Sequence, residues 1–386
     1  MTLSRRDFVR TVGWGGAATL VSGSLVSARG REAFGDRWMH AAAAAGRAVI
    51  RIDSNENPNG PGPVALDAIR NALSNANRYP FTEGDQIVEA VARLQKVKPE
   101  NVLMGCGSTE ILRIAGLAFT SPTKHLVTAS PTFENPADDA KLTGAAVRAV
   151  RVDDALKLDL AGMEAQAAGA GLVFLCNPNN PTATVHGAKA VGDFVARVSK
   201  ASPETIVLID EAYFEFVDDP TYATAIPLAM ERKNVLVSRT FSKVYGMAGL
   251  RCGYVIGQPA TLEKMAAFKL GAGVNQLVIA AALAALNHKE HIDSERKLNR
   301  EAKDYTRRLF EGMGYKVIPS ETNFLMADIR RDTRAFQDAC RASGVLVGRP
   351  FPPLLTHTRI SIGTMDEMRQ AGEVFKKVLG GSATAA

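Results

Sequence analysis

Short apolar runs that end abruptly in polar residues recur through the middle of this chain, and they constrain its fold more than any other feature. The runs cover residues 102–104, 172–175, 206–209 and 235–237, and helix-like stretches separate them. Such runs indicate strands that are buried on both faces. Strands that alternate with helices predict an α/β fold with a mostly parallel sheet flanked by helices. Ligands bind such sheets at the carboxyl ends of the strands, where the polar residues of this chain are expected.

The segment from Arg239 to Gly253 follows the last of these runs and contains a candidate reactive lysine. Lys243 lies between a hydroxyl-rich turn and a glycine-rich loop, and Arg251 follows eight positions later. A lysine amine can bond covalently to a carbonyl carbon when burial or a neighbouring cation lowers its pKa. A nearby arginine can hold a phosphate. Alone the pattern is weak, because most lysines are solvated surface groups.

A carboxylate ends the run at residues 206–209. Asp210 is expected at the strand end, facing a ligand, and Tyr213 follows three residues later. An alternative interpretation is that Asp210 caps a helix by closing its first turn.

Two further polar turns follow predicted strands. The run at 172–175 ends in an Asn/Pro turn that presents Asn180, although Asn-Pro pairs are also ordinary loop punctuation. The run at 102–104 gives way to glycines, and Ser108 and Thr109 open an apolar-periodic helix. The N–H groups at such a helix start can bind phosphate, although a capped helix after a loop is the simpler alternative.

Together and in this order, the four segments resemble the fold-type I pyridoxal-phosphate (PLP) enzymes, specifically the class I and II aminotransferases. They are most similar to the histidinol-phosphate aminotransferase branch. Further matches lie at Ser54–Pro61, Arg78–Pro80, Pro131–Phe133 and Thr358–Gly363. The motifs, which span most of residues 48–380, are specific for the fold, less specific for the branch and poorly specific for the substrate.

The resemblance implies PLP as the cofactor, and it implies a role for each site residue. Lys243 is expected to bind PLP covalently and to carry protons. Asp210 is expected to pair with the pyridine nitrogen, and Tyr213 and Asn180 are expected to hydrogen-bond the phenolic oxygen of the ring. Phe133 is expected to stack on the ring. The phosphate is expected to lie among Ser108, Thr109, Thr240, Ser242 and Arg251.

Substrate recognition is also implied by the resemblance. Arg359 is expected to grip the substrate α-carboxylate, although a surface arginine at a strand edge is the alternative. Arg349 and Asn57 are further substrate-binding candidates. Arg349 would contact a substrate phosphate, a side-chain carboxylate of the substrate, or no substrate group. Tyr79 is expected to reach the cofactor phosphate of a partner subunit, which predicts a homodimer.

Some positions depart from the family pattern. Ala183 stands where glycine is usual, so a positive φ there would cost roughly 1 kcal/mol. Phe133 replaces a commoner tyrosine, and Thr109 stands where an acid is frequent. None of these changes removes a catalytic group.

The N-terminus resembles a twin-arginine export signal. Arg5 and Arg6 precede a weakly apolar run from Val12 to Val26, which ends in a small-residue pattern at Ala28. A disordered basic tail is the alternative. The predicted organisation is a signal at 1–28, an N-terminal arm and part of a small domain at 29–75, a PLP-binding large domain at 76–289 and a C-terminal small domain at 290–386.

The signal implies a periplasmic or otherwise exported protein, which conflicts with a role in cytoplasmic histidine biosynthesis. The apolar run is too short and too rich in glycine for a good membrane anchor. The modest net charge of +6 does not favour nucleic acid. The cysteines and histidines show no metal-ligand spacing.

Three hypotheses follow. The first is an aminotransferase that uses a small-molecule amino donor and a 2-oxo acid acceptor. The second is another PLP reaction on the same scaffold, such as decarboxylation, elimination or racemisation. The third is a catalytically silent PLP-binding protein, which loss of Lys243 or Asp210 would favour, but both residues are present.

Overall fold

A computed structural model describes residues 49–380 of the chain. The strands in that range are β1 (Ile50–Ile52), β2 (Val102–Gly105), β3 (Leu126–Ser130), β4 (Val147–Arg151), β5 (Leu172–Cys176), β6 (Ile206–Asp210), β7 (Val235–Thr240), β8 (Gly253–Ile256), β9 (Lys316–Ile318), β10 (Phe324–Asp328), β11 (Val345–Val347) and β12 (His357–Ser361). The helices are α1 (Pro63–Ala72), α2 (Phe81–Gln95), α3 (Gly107–Phe119), α4 (Asn135–Leu142), α5 (Leu160–Ala165), α6 (Ala188–Ala201), α7 (Ile226–Glu231), α8 (Pro259–Ala266), α9 (Gln276–Leu286), α10 (Lys289–Gly312), α11 (Thr333–Ala342) and α12 (Met365–Gly380).

The larger sheet is mostly parallel and contains seven strands in the order β2-β8-β7-β6-β5-β3-β4. Only β8 runs antiparallel to its neighbours β2 and β7. This arrangement confirms the α/β fold predicted from the alternating apolar runs. It brings the carboxyl ends of β2, β5, β6 and β7 to one edge of the sheet, together with the start of β8.

Both faces of this sheet are covered, which explains the continuous apolar runs. Val173 and Leu175 of β5 pack in the same core as Phe194 of α6, whereas Phe174 faces a second core that contains Leu112 of α3. The buried residues of α6 recur at helical spacing, at positions 191, 194, 195 and 198. Burial of each large side chain contributes roughly 1.5–3 kcal/mol relative to its exposure, and the rigid strands fix the polar residues that follow them.

The C-terminal part of the chain forms a smaller antiparallel sheet in the order β12-β10-β9. Near the start of the described range, β1 pairs in parallel with β11, and Ile50 lies opposite Val345. Ile52 therefore joins a separate hydrophobic core with Phe310 of α10 and Phe375 of α12. The sequence predicts strands at residues 323–327 and 345–347 and amphipathic helices at 289–312 and 365–378, and the structure confirms all four.

The predicted export signal at residues 1–28 lies outside the described residues. Among residues 49–380, no helix is both long enough and apolar enough to cross a membrane.

Candidate active site

Lys243 follows β7 and lies at the carboxyl edge of the large sheet. Its Nζ donates a hydrogen bond of 3.1 Å to the main-chain oxygen of Asn55, and it lies 5.6 Å from the centre of the Tyr213 ring. Burial, together with the nearby Arg359 charge, lowers the pKa of the Lys243 amine to about 8 against the opposing effects of Glu56 and Asp210. About a tenth of the amine is therefore neutral, and nucleophilic, at pH 7, far more than for a solvated lysine.

Asp210 is buried at the end of β6, directly opposite Ser238 of β7. Ser238 Oγ donates a hydrogen bond of 2.8 Å to Asp210 Oδ1. Burial raises the pKa of Asp210 to about 6, although Ser238 and Lys243 oppose this rise. Among the described residues, no lysine or arginine nitrogen lies within 4.0 Å of this carboxylate. Such a carboxylate suits a cationic ring nitrogen.

The helix-cap alternative for Asp210 is wrong. No α-helix begins at Asp210: directly after β6 the chain turns and forms a short 3-10 segment at Phe214–Phe216. The strand end instead turns the Asp210 side chain toward β7, where it meets Ser238.

Tyr213 and Asn180 are both buried, and each has one polar group engaged by the protein. The Tyr213 hydroxyl oxygen accepts a hydrogen bond of 3.0 Å from Asn55 Nδ2. Asn180 Oδ1 accepts one of 2.7 Å from Arg359 Nη1. Among the described residues, the Tyr213 hydroxyl hydrogen and the Asn180 amide nitrogen thus have no hydrogen-bond partner, and both can donate to an oxygen acceptor.

A set of hydroxyl and guanidinium groups lies where β2, β7 and β8 meet. Gly253 of β8 is the register partner of both Gly105 and Thr240. Arg251 Nη2 donates to Thr109 Oγ1 at 3.2 Å, which joins the start of α3 to the loop that follows Lys243. Thr240 Oγ1 donates to Ser242 Oγ at 2.9 Å. Ser108 occupies the first turn of α3.

Gly107 leaves room for this cluster. It has a φ of 75°, and a β-carbon there would collide with the Arg251 guanidinium. A side chain at Gly253 would likewise collide with the main chain of Gly107 and Ser108. The helix start, the hydroxyls and the guanidinium together form a cradle suited to a phosphate. Phe133 is partly buried against the core that contains Leu112 of α3.

Arg359 is buried on β12 of the small sheet. Its Nη1 and Nη2 donate to Asn180 Oδ1 at 2.7 Å and to the Asp53 main-chain oxygen at 2.5 Å, and its Nε has no hydrogen-bond partner within residues 49–380. Burial lowers the pKa of Arg359 to about 10. The surface-arginine alternative is therefore wrong. A buried guanidinium with only neutral acceptors is a ready partner for a carboxylate.

The other predicted site residues lie in different surroundings. Tyr79 is 76% exposed and packs against the ring of Phe81. Asn57 Nδ2 donates to the Val244 main-chain oxygen and to Glu295 Oε2, so the amide is engaged within the protein. Arg349 Nη2 donates to Glu134 Oε2 at 2.5 Å.

Asn55 was not predicted as a site residue, although it contacts several of them. Besides Lys243 and Tyr213, it contacts Ser361, whose Oγ donates to Asn55 Oδ1 at 2.7 Å. Asn55 has a φ of 55°, which asparagine tolerates better than most residues. The only sequence signal was its place in the motif Ser54–Pro61, which does not distinguish it from Asn57 or Asn59.

The departure at Ala183 has a structural consequence. Ala183 has a φ of 64° and is fully buried, so the residue does adopt the left-handed conformation that glycine favours. The left-handed backbone at Ala183 does not open the neighbouring Asn180 turn, because the Ala183 amide donates a hydrogen bond of 2.8 Å to the Asn179 main-chain oxygen.

Comparison with known proteins identifies the class. The family described as aminotransferase class I and II matches residues 47–375, and the chain belongs to that family. It is 38% identical over 335 residues to a histidinol-phosphate aminotransferase of Symbiobacterium thermophilum, across 86% of this chain and 91% of the relative. A Moorella thermoacetica histidinol-phosphate aminotransferase is 37% identical over 336 residues, which cover 86% of this chain and 84% of that protein.

A solved structure shows the same architecture. The histidinol-phosphate aminotransferase of Sinorhizobium meliloti, in complex with pyridoxal-5'-phosphate, superposes with a TM-score of 0.83 at 26% sequence identity. The match covers 95% of this chain and 100% of that one.

Proposed function

We propose that this protein is a PLP-dependent aminotransferase of the histidinol-phosphate aminotransferase kind. It transfers an amino group between an amino acid, or a histidinol-phosphate-like amine, and a 2-oxo acid. The observation that carries the proposal is the meeting of Lys243 and Asp210 at one sheet edge. One is an amine whose pKa lies near 8, and the other is a buried carboxylate without a cationic partner among the described residues.

The residues of the site fit PLP. Asp210 suits the pyridine nitrogen, Tyr213 and Asn180 offer donors for the phenolic oxygen, and the cradle around Arg251 suits the phosphate. When bound, PLP acts as an electron sink for the substrate carbon that bears the amine. Asp210 favours a positive charge at the ring nitrogen, because a buried carboxylate interacts strongly with a nearby cation.

Lys243 provides the nucleophile and the proton carrier. Its neutral amine can accept a proton from the substrate carbon and then donate that proton to a different atom. A pKa near the working pH favours both transfers. Arg359 holds the anionic group of the substrate, and its buried contacts with Asn180 and Asp53 fix its orientation. Tyr213 and Asn180 would hold the phenolic oxygen of the cofactor, and Asn180 also contacts Arg359 through its side-chain oxygen.

Incubation of the holoenzyme with L-histidinol phosphate and 2-oxoglutarate tests the proposal. We expect one glutamate for each ketone product formed from the amine. Product formation without glutamate would favour the alternative, another PLP reaction on this scaffold. Spectral evidence of bound PLP with no product from a panel of donors would favour a silent PLP-binding protein.

We also propose that the protein is a homodimer in which Tyr79 reaches the site of the partner subunit. The exposed ring pair of Tyr79 and Phe81, 76% and 72% exposed, supports an interface there, because exposed aromatic surface commonly marks a contact. Sedimentation equilibrium should give twice the monomer mass, and a monomeric, fully active enzyme would contradict this proposal.

We further propose export by the twin-arginine route, on the basis of Arg5 and Arg6 before the weakly apolar run. The double variant Arg5→Lys, Arg6→Lys should remain in the cytoplasm, active and with its N-terminal segment intact. Fractionation beside marker proteins of each compartment measures this. Equal periplasmic accumulation of the double variant would exclude the route.

A further inference from the structure

Two arginines of the site, Arg349 and Arg359, lie near one aromatic ring. Their Cζ atoms are 4.3 Å and 4.8 Å from the centre of the Phe351 ring. The main chain reinforces this placement, since the Gly348 amide donates to the Arg359 oxygen at 2.9 Å. The two guanidinium groups therefore lie together at the proposed substrate site.

The two arginines differ in their partners. Arg359 contacts only neutral acceptors, and among residues 49–380 no carboxylate lies within 4.0 Å of it. Arg349 already has an anionic partner, because its Nη2 donates to Glu134 Oε2 at 2.5 Å. The Arg359 guanidinium can therefore bind an anionic group of the substrate, whereas Glu134 already neutralises the charge of Arg349.

Glu134 lies beside the proposed cofactor position. It directly follows Phe133 and precedes α4, but its side chain makes no capping hydrogen bond to that helix. Its carboxylate instead reaches Arg349, 215 residues later in the chain. The side chains of Arg349 and Glu134 are 29% and 44% exposed, so the ion pair can open without a large cost.

We propose that Glu134 is a specificity-determining residue whose carboxylate competes with a second anionic group of the substrate for Arg349. This inference rests on the proposed function and names its substrate class. The pocket favours amines and 2-oxo acids that carry one anionic group, held by Arg359, and a neutral remainder. Dicarboxylates bind only when they displace Glu134 from Arg349, so they are disfavoured but still accepted.

The test compares two nearly isosteric ligands that differ in one charge. Glutarate carries two carboxylates, and in glutaramate one of them is a neutral amide. Titration calorimetry of the holoenzyme should show that Glu134→Gln tightens glutarate binding about three- to fivefold, the upper part of the range expected for an ion pair of this exposure. Glutaramate affinity should change less than twofold. Glu134→Gln should likewise lower the KM of glutamate and leave the KM of glutamine nearly unchanged.

Two further variants separate the causes. Asp138→Asn removes the same charge from the first turn of the helix that follows Glu134. Among the described residues Asp138 pairs only with the exposed Lys141, so this variant should leave the glutarate preference unchanged. In an Arg349→Gln background, Glu134→Gln should no longer tighten glutarate binding.

Equal tightening of both ligands by Glu134→Gln, no change, or weaker glutarate binding would overturn the inference. Calorimetry does not require turnover, so its result stands apart from the proposed function. If the wild-type enzyme transaminates but Glu134→Gln leaves the glutarate preference unchanged, only this inference fails. If no donor is transaminated but the charge-selective tightening occurs, the proposed function fails and the competition for Arg349 stands.

Discussion

The main-chain oxygen of Asn55 accepts a hydrogen bond of 3.1 Å from the amine of Lys243, which lies 188 residues further along the chain. The same asparagine donates from its side chain to the Tyr213 hydroxyl at 3.0 Å. Asn55 therefore orients both the reactive Lys243 amine and the Tyr213 phenol. Its contact with Ser361 ties them to the strand that carries Arg359.

Asn55→Asp should impair turnover more than folding. Aspartate also tolerates the left-handed backbone, but its carboxylate cannot donate to Tyr213, so the phenol would turn its own hydrogen toward residue 55. We expect a fall in kcat of about tenfold with a smaller change in KM, and a shifted visible absorption of the holoenzyme. The exposed Asn71→Asp in α1 is the matched control. An unchanged absorption spectrum together with an unchanged kcat would show that Asn55 does not position Tyr213.

The reactivity of Lys243 should depend on pH with a midpoint near 8. Burial lowers the pKa of its amine to about 8, and the neutral fraction rises with pH. Stopped-flow absorbance should therefore show that PLP capture by the apoprotein accelerates through pH 8 and then levels off. A rate that keeps rising toward pH 10.5, the midpoint of a solvated lysine, would contradict this assignment.

The same pKa affects the stability of the apoprotein. The pKa is lower in the folded state, so the unfolded chain binds more protons between pH 8 and about 10.5, and the free energy of unfolding should rise with pH across that window. Lys243→Met should remove this part of the pH dependence in urea titrations. If Lys243→Met kept the wild-type dependence of the unfolding free energy on pH, the proton would have to be bound by another group.

Asp210→Asn should lower kcat by about 100-fold or more, the equivalent of about 2.7 kcal/mol. The amide keeps the size of the side chain and removes the charge that favours a protonated ring nitrogen. Ser238→Ala is the control, because it removes a hydrogen bond to Asp210 and leaves the carboxylate. Steady-state kinetics at saturating PLP make the comparison. Near-normal transamination by Asp210→Asn would show that the charge is not needed.

Arg359→Ala should raise KM for every amino donor, because all donors place an anionic group there. Loss of a charge-assisted contact of about 1.5–3 kcal/mol corresponds to roughly 10- to 150-fold. Arg349→Ala should affect only donors with a second anionic group. Paired assays with glutamate and phenylalanine separate the two roles. Unchanged KM values in Arg359→Ala would place the anion site elsewhere.

Local sequence patterns predicted the parts of the site that follow strands. Asp210 directly follows a continuous apolar run, Asn180 and the Thr240–Lys243 segment lie a few residues after such runs, and parallel strands bring these ends together. The family resemblance added Arg359, whose alternating apolar neighbours fit the observed strand β12.

Contacts between distant segments could not be predicted in the same way. The asparagines of the motif at residues 54–61 look alike in sequence, and only the folded chain places Asn55 beside Lys243. The Arg349–Glu134 pair joins two loops 215 residues apart, and neither loop has a period or turn signal that refers to the other. The helix-cap alternative for Asp210 remained open because the chain after β6 makes a turn that its composition does not specify.

Borohydride reduction of the holoenzyme, followed by peptide mapping, tests most directly whether Lys243 performs transamination. We expect a pyridoxyl label on Lys243 alone. Addition of an amino donor before reduction should abolish the label, and subsequent 2-oxoglutarate should restore it. Lys243→Ala should give no label and no turnover while remaining folded. A label on another lysine, or a label on Lys243 that a competent donor leaves unchanged, would contradict the central assignment.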